Sequence, residues 1–524
     1  MSGPEHAPDG MDLREKVGQL FVVGFEGTEL PPAARELVAD YGVGGVIYFR
    51  RNVDEPGQVA DLSADLQTLA ADHGRPPLLV AIDQEGGIVS RLPWDTRLPG
   101  AMTIGAAGDG QLARRGGKAV GRKLRALGVN LNLAPVLDVN VNPDNPVIGV
   151  RSFGEEPGLV GDLGAAFAAG LQSAGVLGCG KHFPGHGDTA VDSHLDLPVI
   201  EHDRERLDRV ELRPFRDAID AGIDAIMTTH VAFPAVADDP GCPATLSGRV
   251  LAGLLRDDLG YDGLVVTDCM EMDAVADELG TVEGAVRAVE AGCDLVLVSH
   301  TPEKQRGAIE AVVDAVESGR IDEARIDRSV RRILRTKAAR AVGEREPDLG
   351  EWDSPARESR RAGRRIAESG VTLVRDRDGV LPLSADEPVH VWSFPVGSGS
   401  EVEDDGADAG AFVEGLRAGG FAVDARTLDP DEPVADVPEE PVVVTTRNAA
   451  SNPGQARVVS ELQDAGARLA VLAVRNPYDL GAFPAVSTYL TTYDDAPVSL
   501  RVASEIVAGE REAEGTLPVT IPDG

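Results

Sequence analysis

Through its first two thirds the chain alternates short, nearly continuous apolar runs with longer segments in which apolar residues recur every three or four positions. The short runs lie at 19–24, 44–49, 78–82, 130–136, 176–180, 224–228, 264–267 and 294–298. They are rich in β-branched residues and lack the alternation of a half-solvated strand, so they read as parallel strands covered on both faces. The periodic segments at 112–127, 158–174, 211–221, 246–259 and 282–291 read as amphipathic helices. Eight strand–helix units predict an α/β fold, a TIM-like (β/α)8 barrel with insertions. A doubly wound parallel sheet is the second solution compatible with the pattern.

The helical stretch at 327–342 closes this region, and 343–355 is charged and Pro-containing. Further apolar runs follow at 371–375, 389–394, 442–445, 469–474, 486–490 and 517–521, with helical segments at 411–418 and 456–465. The predicted organisation is a tail at 1–12, a barrel domain at 13–345, a linker and connecting helix at 346–370, and a smaller α/β sandwich at 371–524. The acidic, Gly-rich stretch 397–410 predicts an exposed loop.

Almost every barrel strand runs into a polar residue: Asp83, Asp138, Lys181, His230, Asp268 or Ser299. In a barrel these positions converge on the face where active sites are built. One Asp after a strand is commonly a helix cap; six polar strand ends together point to a site. The densest chemistry is the run Lys181-His182-Phe183-Pro184-Gly185-His186-Gly187-Asp188-Thr189-Ala190-Val191-Asp192-Ser193-His194. Asp192 and His194 are two apart, so a turn would let the carboxylate hold one imidazole nitrogen and leave the other for proton transfer. Asp268 ends a β-branched strand, either as a cap for the following helix or as a group projecting into the barrel mouth.

Charge narrows the partners. The 524 residues carry a formal net charge of -37, which argues against nucleic acid and anionic membranes. No run approaches a membrane-spanning length. The start lacks the basic and apolar regions of a signal peptide, so the expected location is cytoplasmic. Cys179, Cys242, Cys269 and Cys293 show no CxxC spacing and read as free thiols. No cofactor motif is present.

Five motifs occur in order: Asp83-Gln84-Glu85-Gly86-Gly87, Asn145-Pro146-Val147-Ile148-Gly149-Val150-Arg151-Ser152-Phe153-Gly154, the Lys181–His194 run, Pro243-Ala244-Thr245-Leu246-Ser247 and Val266-Thr267-Asp268. Together they resemble glycoside hydrolase family 3, in its β-N-acetylglucosaminidase branch. Val474-Arg475-Asn476-Pro477-Tyr478 and Gly515-Thr516-Leu517-Pro518-Val519-Thr520 resemble the second domain of its two-domain members.

The resemblance implies a retaining exo-glycosidase acting on terminal β-linked N-acetylglucosamine, without metal or cofactor. It makes Asp268 the nucleophile and His194, oriented by Asp192, the acid/base. Asp83, Arg151, Lys181 and His182 would hold the sugar, while His186 and Asp188 brace the loop. His230 either lines the pocket wall or is a satisfied core histidine, and Arg151 is either a sugar ligand or a structural ion-pair partner. One position departs from the family: Ile88 stands where members commonly carry arginine, with Arg91 nearby as a partial substitute.

Competing readings remain. They are β-glucosidase or phosphorylase activity on the same scaffold, a metal hydrolase using His182, His186 and His194 with Asp188 or Asp192, and a non-catalytic sugar-binding protein. Muropeptides, chitin fragments and glycoconjugates all fit as natural substrates, and the oligomeric state is open.

Lysine is scarce, confined to Lys16, Lys118, Lys123, Lys181, Lys304 and Lys337. An acidic, lysine-poor surface resembles that of proteins from salt-in halophiles. Like-charge repulsion is long-range at low ionic strength but is screened within ~3 Å at 1 M salt. The thermal unfolding midpoint should therefore rise between 0.1 M and 2 M KCl, as followed by circular dichroism, with activity retained; loss of activity in 2 M KCl would count against the reading.

Overall fold

The computed structural model describes residues 10–94, 97–190, 197–277, 279–350, 352–396, 406, 408–434 and 436–522. Eight parallel strands close into a barrel: β1 (Phe21–Val23), β2 (Gly45–Tyr48), β3 (Leu79–Ile82), β4 (Leu131–Asn132), β5 (Leu177–Phe183), β6 (Ala225–Thr228), β7 (Leu264–Cys269) and β8 (Leu295–Val298). Each pairs with its neighbours in sequence, and β1 closes the ring against β8 with Val22 opposite Leu297. Barrel residues such as Val22, Val46, Val80, Leu177, Ile226, Val266 and Val296 are fully buried. That explains the continuous apolar runs: strand faces meet either the packed interior or the surrounding helices.

Strand ends differ from the sequence expectation by a few residues, and two of the differences bear on the site. β4 is only two residues long; beyond it the chain continues as an irregular segment containing Pro135, whose nitrogen has no hydrogen to give. β5 runs three residues further than expected, so Lys181, His182 and Phe183 sit on the strand rather than in the loop. Strand geometry thereby fixes two polar side chains at the barrel mouth.

A second, six-stranded sheet follows: β9 (Thr372–Asp376), β10 (Val389–Ser393), β11 (Val423–Thr427), β12 (Val442–Thr446), β13 (Leu469–Ala473) and β14 (Thr488–Thr491), in spatial order β9-β14-β13-β12-β10-β11. β9 is antiparallel to β14; the other pairings are parallel. β11 carries no apolar run, because an edge strand with a half-exposed or exposed face needs none. The expected strand at 517–521 does not form. The segment lies against the barrel instead: Glu155 N–H donates to the Pro518 carbonyl at 3.1 Å, and Thr520 N–H donates to the Glu155 carboxylate at 2.8 Å.

The second sheet domain presses loops onto the barrel mouth. Asp494, fully buried, accepts hydrogen bonds from the Gly100 N–H and the Thr103 hydroxyl, both at 2.8 Å. Arg97 pairs with Asp495 at 3.0 Å, and Asn140 Nδ2 donates to the Tyr478 hydroxyl at 2.9 Å. Gly87, at φ +56°, is packed so closely on Gly100 that a Cβ would lie 2.7 Å from the Gly100 Cα. Ile88 is buried in one cluster with Val89, Met102, Ala106 and Val150 of the barrel and Tyr478, Tyr493 and Val519 of the second domain. The residue that departs from the family pattern is thus part of an interdomain core.

Replacing Asp494 by Ala would leave the buried Gly100 N–H without its acceptor and the Thr103 hydroxyl with the Thr492 carbonyl alone, a loss of about 1–3 kcal/mol. The urea unfolding midpoint of Asp494→Ala should fall measurably, and that of Asp494→Asn, which keeps one acceptor oxygen, should fall less. An unchanged midpoint in Asp494→Ala would remove the latch.

Candidate active site

Opposite charges meet at the mouth of the barrel. Lys181, at the end of β5, places Nζ 2.7 Å from an Asp83 carboxylate oxygen and 2.6 Å from Glu85. Glu85 in turn takes a two-pronged pair of bonds from Arg151, Nε at 2.9 Å and Nη2 at 2.8 Å. The Arg151 Nη1 group also donates to the Val147 carbonyl at 3.1 Å. Lys181 and Arg151 are only 2% and 5% exposed. Burial alone would raise the Glu85 pKa, but the charges of Arg151 and Lys181 outweigh it and hold the carboxyl well below the usual range. Lys181 responds in the opposite sense: burial acts to lower its pKa, and Asp83 with Glu85 raises it. Both cations and Glu85 are therefore ionised in a dry setting, where charge-assisted bonds are short and directional.

The loop carrying Asp83 and Glu85 is held in register from β4. Asn132 accepts the Gln84 N–H and donates to the Gln84 carbonyl, both at 2.9 Å.

A second buried carboxylate organises the start of the histidine-rich segment. Asp138 accepts the His182 N–H at 3.1 Å and the His186 N–H at 2.7 Å on one oxygen, and faces His182 Nδ1 at 2.7 Å with the other. Burial pushes its pKa up, but His182 outweighs that, so Asp138 stays below the ordinary carboxylate range. His186 lies beside it with Nδ1 2.9 Å from the Thr189 hydroxyl. Burial and the neighbouring His182 pull His186 down to about 4, so it is a neutral, bracing imidazole. Asn145 completes the brace by donating to the His186 carbonyl at 2.9 Å and the Thr189 hydroxyl at 3.2 Å. Asp192 and His194 lie outside the described residues.

Asp268 is the penultimate residue of β7 and accepts the Cys269 N–H at 2.7 Å. β5 and β7 are parallel strands of the same closed barrel, separated only by β6, so Lys181 and Asp268, both near the C-terminal ends of their strands, face the same end of the barrel. The buried Cys179 thiol, two residues before Lys181, is pushed up by burial. His230 is fully buried beside Asp268, with Nδ1 3.0 Å from the Thr245 hydroxyl and Nε2 3.0 Å from the Cys269 carbonyl. It is a satisfied core histidine that steadies the backbone next to Asp268. Cys179 and Cys293 are buried free thiols, and Cys242 and Cys269 are free and partly buried.

Of the four sugar-binding residues that the resemblance implies, Asp83 and Arg151 are both joined to Lys181, Arg151 by way of Glu85, while His182 is held by Asp138. The organising roles of Glu85 and Asp138 emerge only in the structure. Glu85 lies inside the Asp83–Gly87 motif with nothing in the sequence to mark it as a partner of Arg151, and Asp138 is one polar strand end among several.

A parallel eight-stranded barrel with paired acids and cations at its strand ends is the build of a barrel enzyme with a polar substrate. The comparisons with known proteins agree. Residues 12–336 match the glycosyl hydrolase family 3 N terminal domain, and the chain belongs to that family. It is 31% identical to beta-hexosaminidase A of Pseudoalteromonas piscicida, over 94% of this chain and 92% of that protein. It is 30% identical to a beta-N-acetylglucosaminidase/beta-glucosidase of Cellulomonas fimi, over 96% and 93%. The solved glycoside hydrolase family 3 beta-N-acetylglucosaminidase of Paenibacillus sp. str. FPU-7 superposes with a TM-score of 0.91 at 45% identity, over 98% of this chain and all of that one.

Glu85 titrates from near 4.5 in an unfolded chain to a much lower value in the fold. Its stabilising contribution is therefore present above that unfolded value and lost as the pH falls below it. Glu85→Gln would leave the buried Arg151 without its carboxylate and Lys181 with Asp83 alone, costing about 3–5 kcal/mol at neutral pH. In urea unfolding, the gap between wild type and Glu85→Gln should narrow steadily from pH 5 to pH 3; a pH-independent gap would contradict the assigned ionisation.

Proposed function

We propose that the protein is a retaining exo-β-N-acetylglucosaminidase that works without a metal. The observation that carries this reading is Asp268 near the C-terminal end of β7, at the same end of the barrel as the Asp83–Lys181–Glu85–Arg151 cluster. The likeness over almost the full chain to family members named for N-acetylglucosaminide hydrolysis supports it.

In the proposed reaction the terminal sugar sits on that cluster. Asp83, the remaining N–H groups of Lys181 and Arg151, and His182 Nε2 bond its hydroxyls. Asp268 attacks the anomeric carbon while His194, as imidazolium, gives its proton to the departing oxygen. The bond to the leaving group breaks as the bond to Asp268 forms. Neutral His194 then takes a proton from water, which attacks the same carbon, releases Asp268 and leaves the configuration retained. Asp192 holds one His194 nitrogen, fixes the tautomer and stabilises the imidazolium. Such general acid–base help is typically worth about 10²–10⁴-fold. Asp138 plays the equivalent orienting part for His182, whose Nδ1 it already engages at 2.7 Å.

The Cellulomonas relative carries both activities in its name, so β-glucoside hydrolysis is the second reading.

The test compares p-nitrophenyl β-N-acetylglucosaminide with the β-glucoside at high salt, with and without EDTA. The N-acetyl substrate should be preferred, and turnover should persist in EDTA, since no metal takes part in bond cleavage. Asp268→Asn should abolish turnover, and His194→Ala should reduce it by about 10²-fold or more. Wild-type rates in Asp268→Asn would overturn the mechanism, and a preference for the glucoside would move the substrate assignment.

A further inference from the structure

A second polar cluster lies at the root of the histidine-rich loop, and the proposed hydrolysis does not use it. Single ligand atoms of Asp188, His202 and Glu211 all lie within 4.8 Å of one another. Asp188 Oδ2 is 2.5 Å from His202 Nε2. Glu211 is 3% exposed, and its Oε2 has no hydrogen-bond partner among the described residues. Its other oxygen takes only long bonds from Arg206, at 3.4 Å from Nε and 3.3 Å from Nη2. Glu211 is also wedged under the loop, since a Cβ on Gly185 (φ +145°) would lie 2.9 Å from the Glu211 Cβ.

A buried carboxylate oxygen without a donor is costly and calls for a compensating group. Here the surroundings suit a cation. One imidazole and two carboxylates are the donor set of a borderline divalent metal, with water free to fill a fourth position. The side chains of Asp188 and His202 are 25% and 34% exposed, which gives an ion a path in from solvent. Arg206 is the competing cation, 4.0 Å from Asp188 and with a side chain 30% exposed, so it can turn outward as an ion enters.

We propose that Asp188, His202 and Glu211 form an accessory site for a zinc-class divalent cation. The ion ties the root of the loop to the barrel wall. Asp188 lies four residues before Asp192 and six before His194, so a bound ion stiffens the segment from which the proposed acid/base pair departs. The site modulates the loop and takes no part in bond cleavage. A second trio, Cys269, Glu271 and His300, is also within ligand distance. Its carboxylate is already engaged by the N–H groups of His300 at 2.6 Å and Thr301 at 3.1 Å, and burial pushes the Cys269 thiol up to about 11. Both features weaken it as a competitor.

The test is calorimetric titration of Zn²⁺ into chelator-stripped full-length protein. Wild type should bind one ion, and Glu211→Gln and His202→Ala should each bind it at least about 10-fold more weakly. Cys269→Ser and His194→Ala should match wild type. Unchanged affinity in both Glu211→Gln and His202→Ala overturns the proposal; so does loss of the ion in Cys269→Ser or in His194→Ala, which would place it at the mouth or on the catalytic loop. A second readout needs no turnover: Zn²⁺ should slow amide hydrogen exchange across 185–190 in wild type and in Asp268→Asn, and not in Glu211→Gln. Failure of the glycosidase reading leaves both measurements intact.

Discussion

The barrel mouth depends on one constraint: two buried cations and two carboxylates that neutralise one another where water is scarce. Lys181 lies between Asp83 and Glu85, and Arg151 closes the arrangement by gripping Glu85 with two parallel bonds. Each charge has lost its hydration and is held by the others, so removing one strands the rest. Such a cluster is a poor source of net stability, but it is demanding about geometry. It binds the end of β5, the loop after β3 and the 142–154 segment into one arrangement. The donors a sugar would meet are positioned beforehand, and the ordering cost falls on folding rather than on binding.

The second domain makes sense in these terms. It supplies none of the paired charges of that cluster, yet its loops at 476–480 and 493–495 press on the two segments that carry Glu85 and Arg151. Asp494 holds Gly100, Gly100 packs on Gly87, and Gly87 lies two residues from Glu85. Asn476 packs on Gly149, where a Cβ would meet its side-chain oxygen at 2.6 Å, and Gly149 lies two residues from Arg151. Ile88 belongs to this contact. An arginine there would need a counter-charge; isoleucine adds apolar area to a core shared by both domains.

The eight barrel strands were legible because a doubly covered strand must be apolar along its whole length, which leaves continuous runs in the sequence. β11 was not, because its exposed edge residues Ala425, Arg426 and Thr427 carry no such requirement. The apolar pattern at 517–521 was real but misleading. Leu517 and Val519 are apolar because they pack against the barrel, not because they enter a sheet. Much the same division holds at the site. Residue types and strand ends pointed to Asp83, Lys181, His182 and Asp268. The pairing of Arg151 with Glu85 and the triple role of Asp138 are tertiary facts, created by segments 66 and 44 residues apart.

The charge balance of the mouth also bears on the kind of acid that can work there. Asp83, Glu85 and Asp138 already face Lys181, Arg151 and His182, and Asp268 adds one more negative charge. A carboxylic acid as proton donor would become a further anion after giving up its proton, repelled by this group. An imidazolium instead becomes neutral, and in its charged form it is attracted by the same carboxylates. On the proposed mechanism the anionic surroundings thus favour the protonated donor before cleavage, and the neutral imidazole left afterwards adds no negative charge beside the glycosylated Asp268. On that mechanism the buried cluster would do more than hold the sugar: it would set an electrostatic background that suits a histidine acid/base and strains a carboxylic acid in that role.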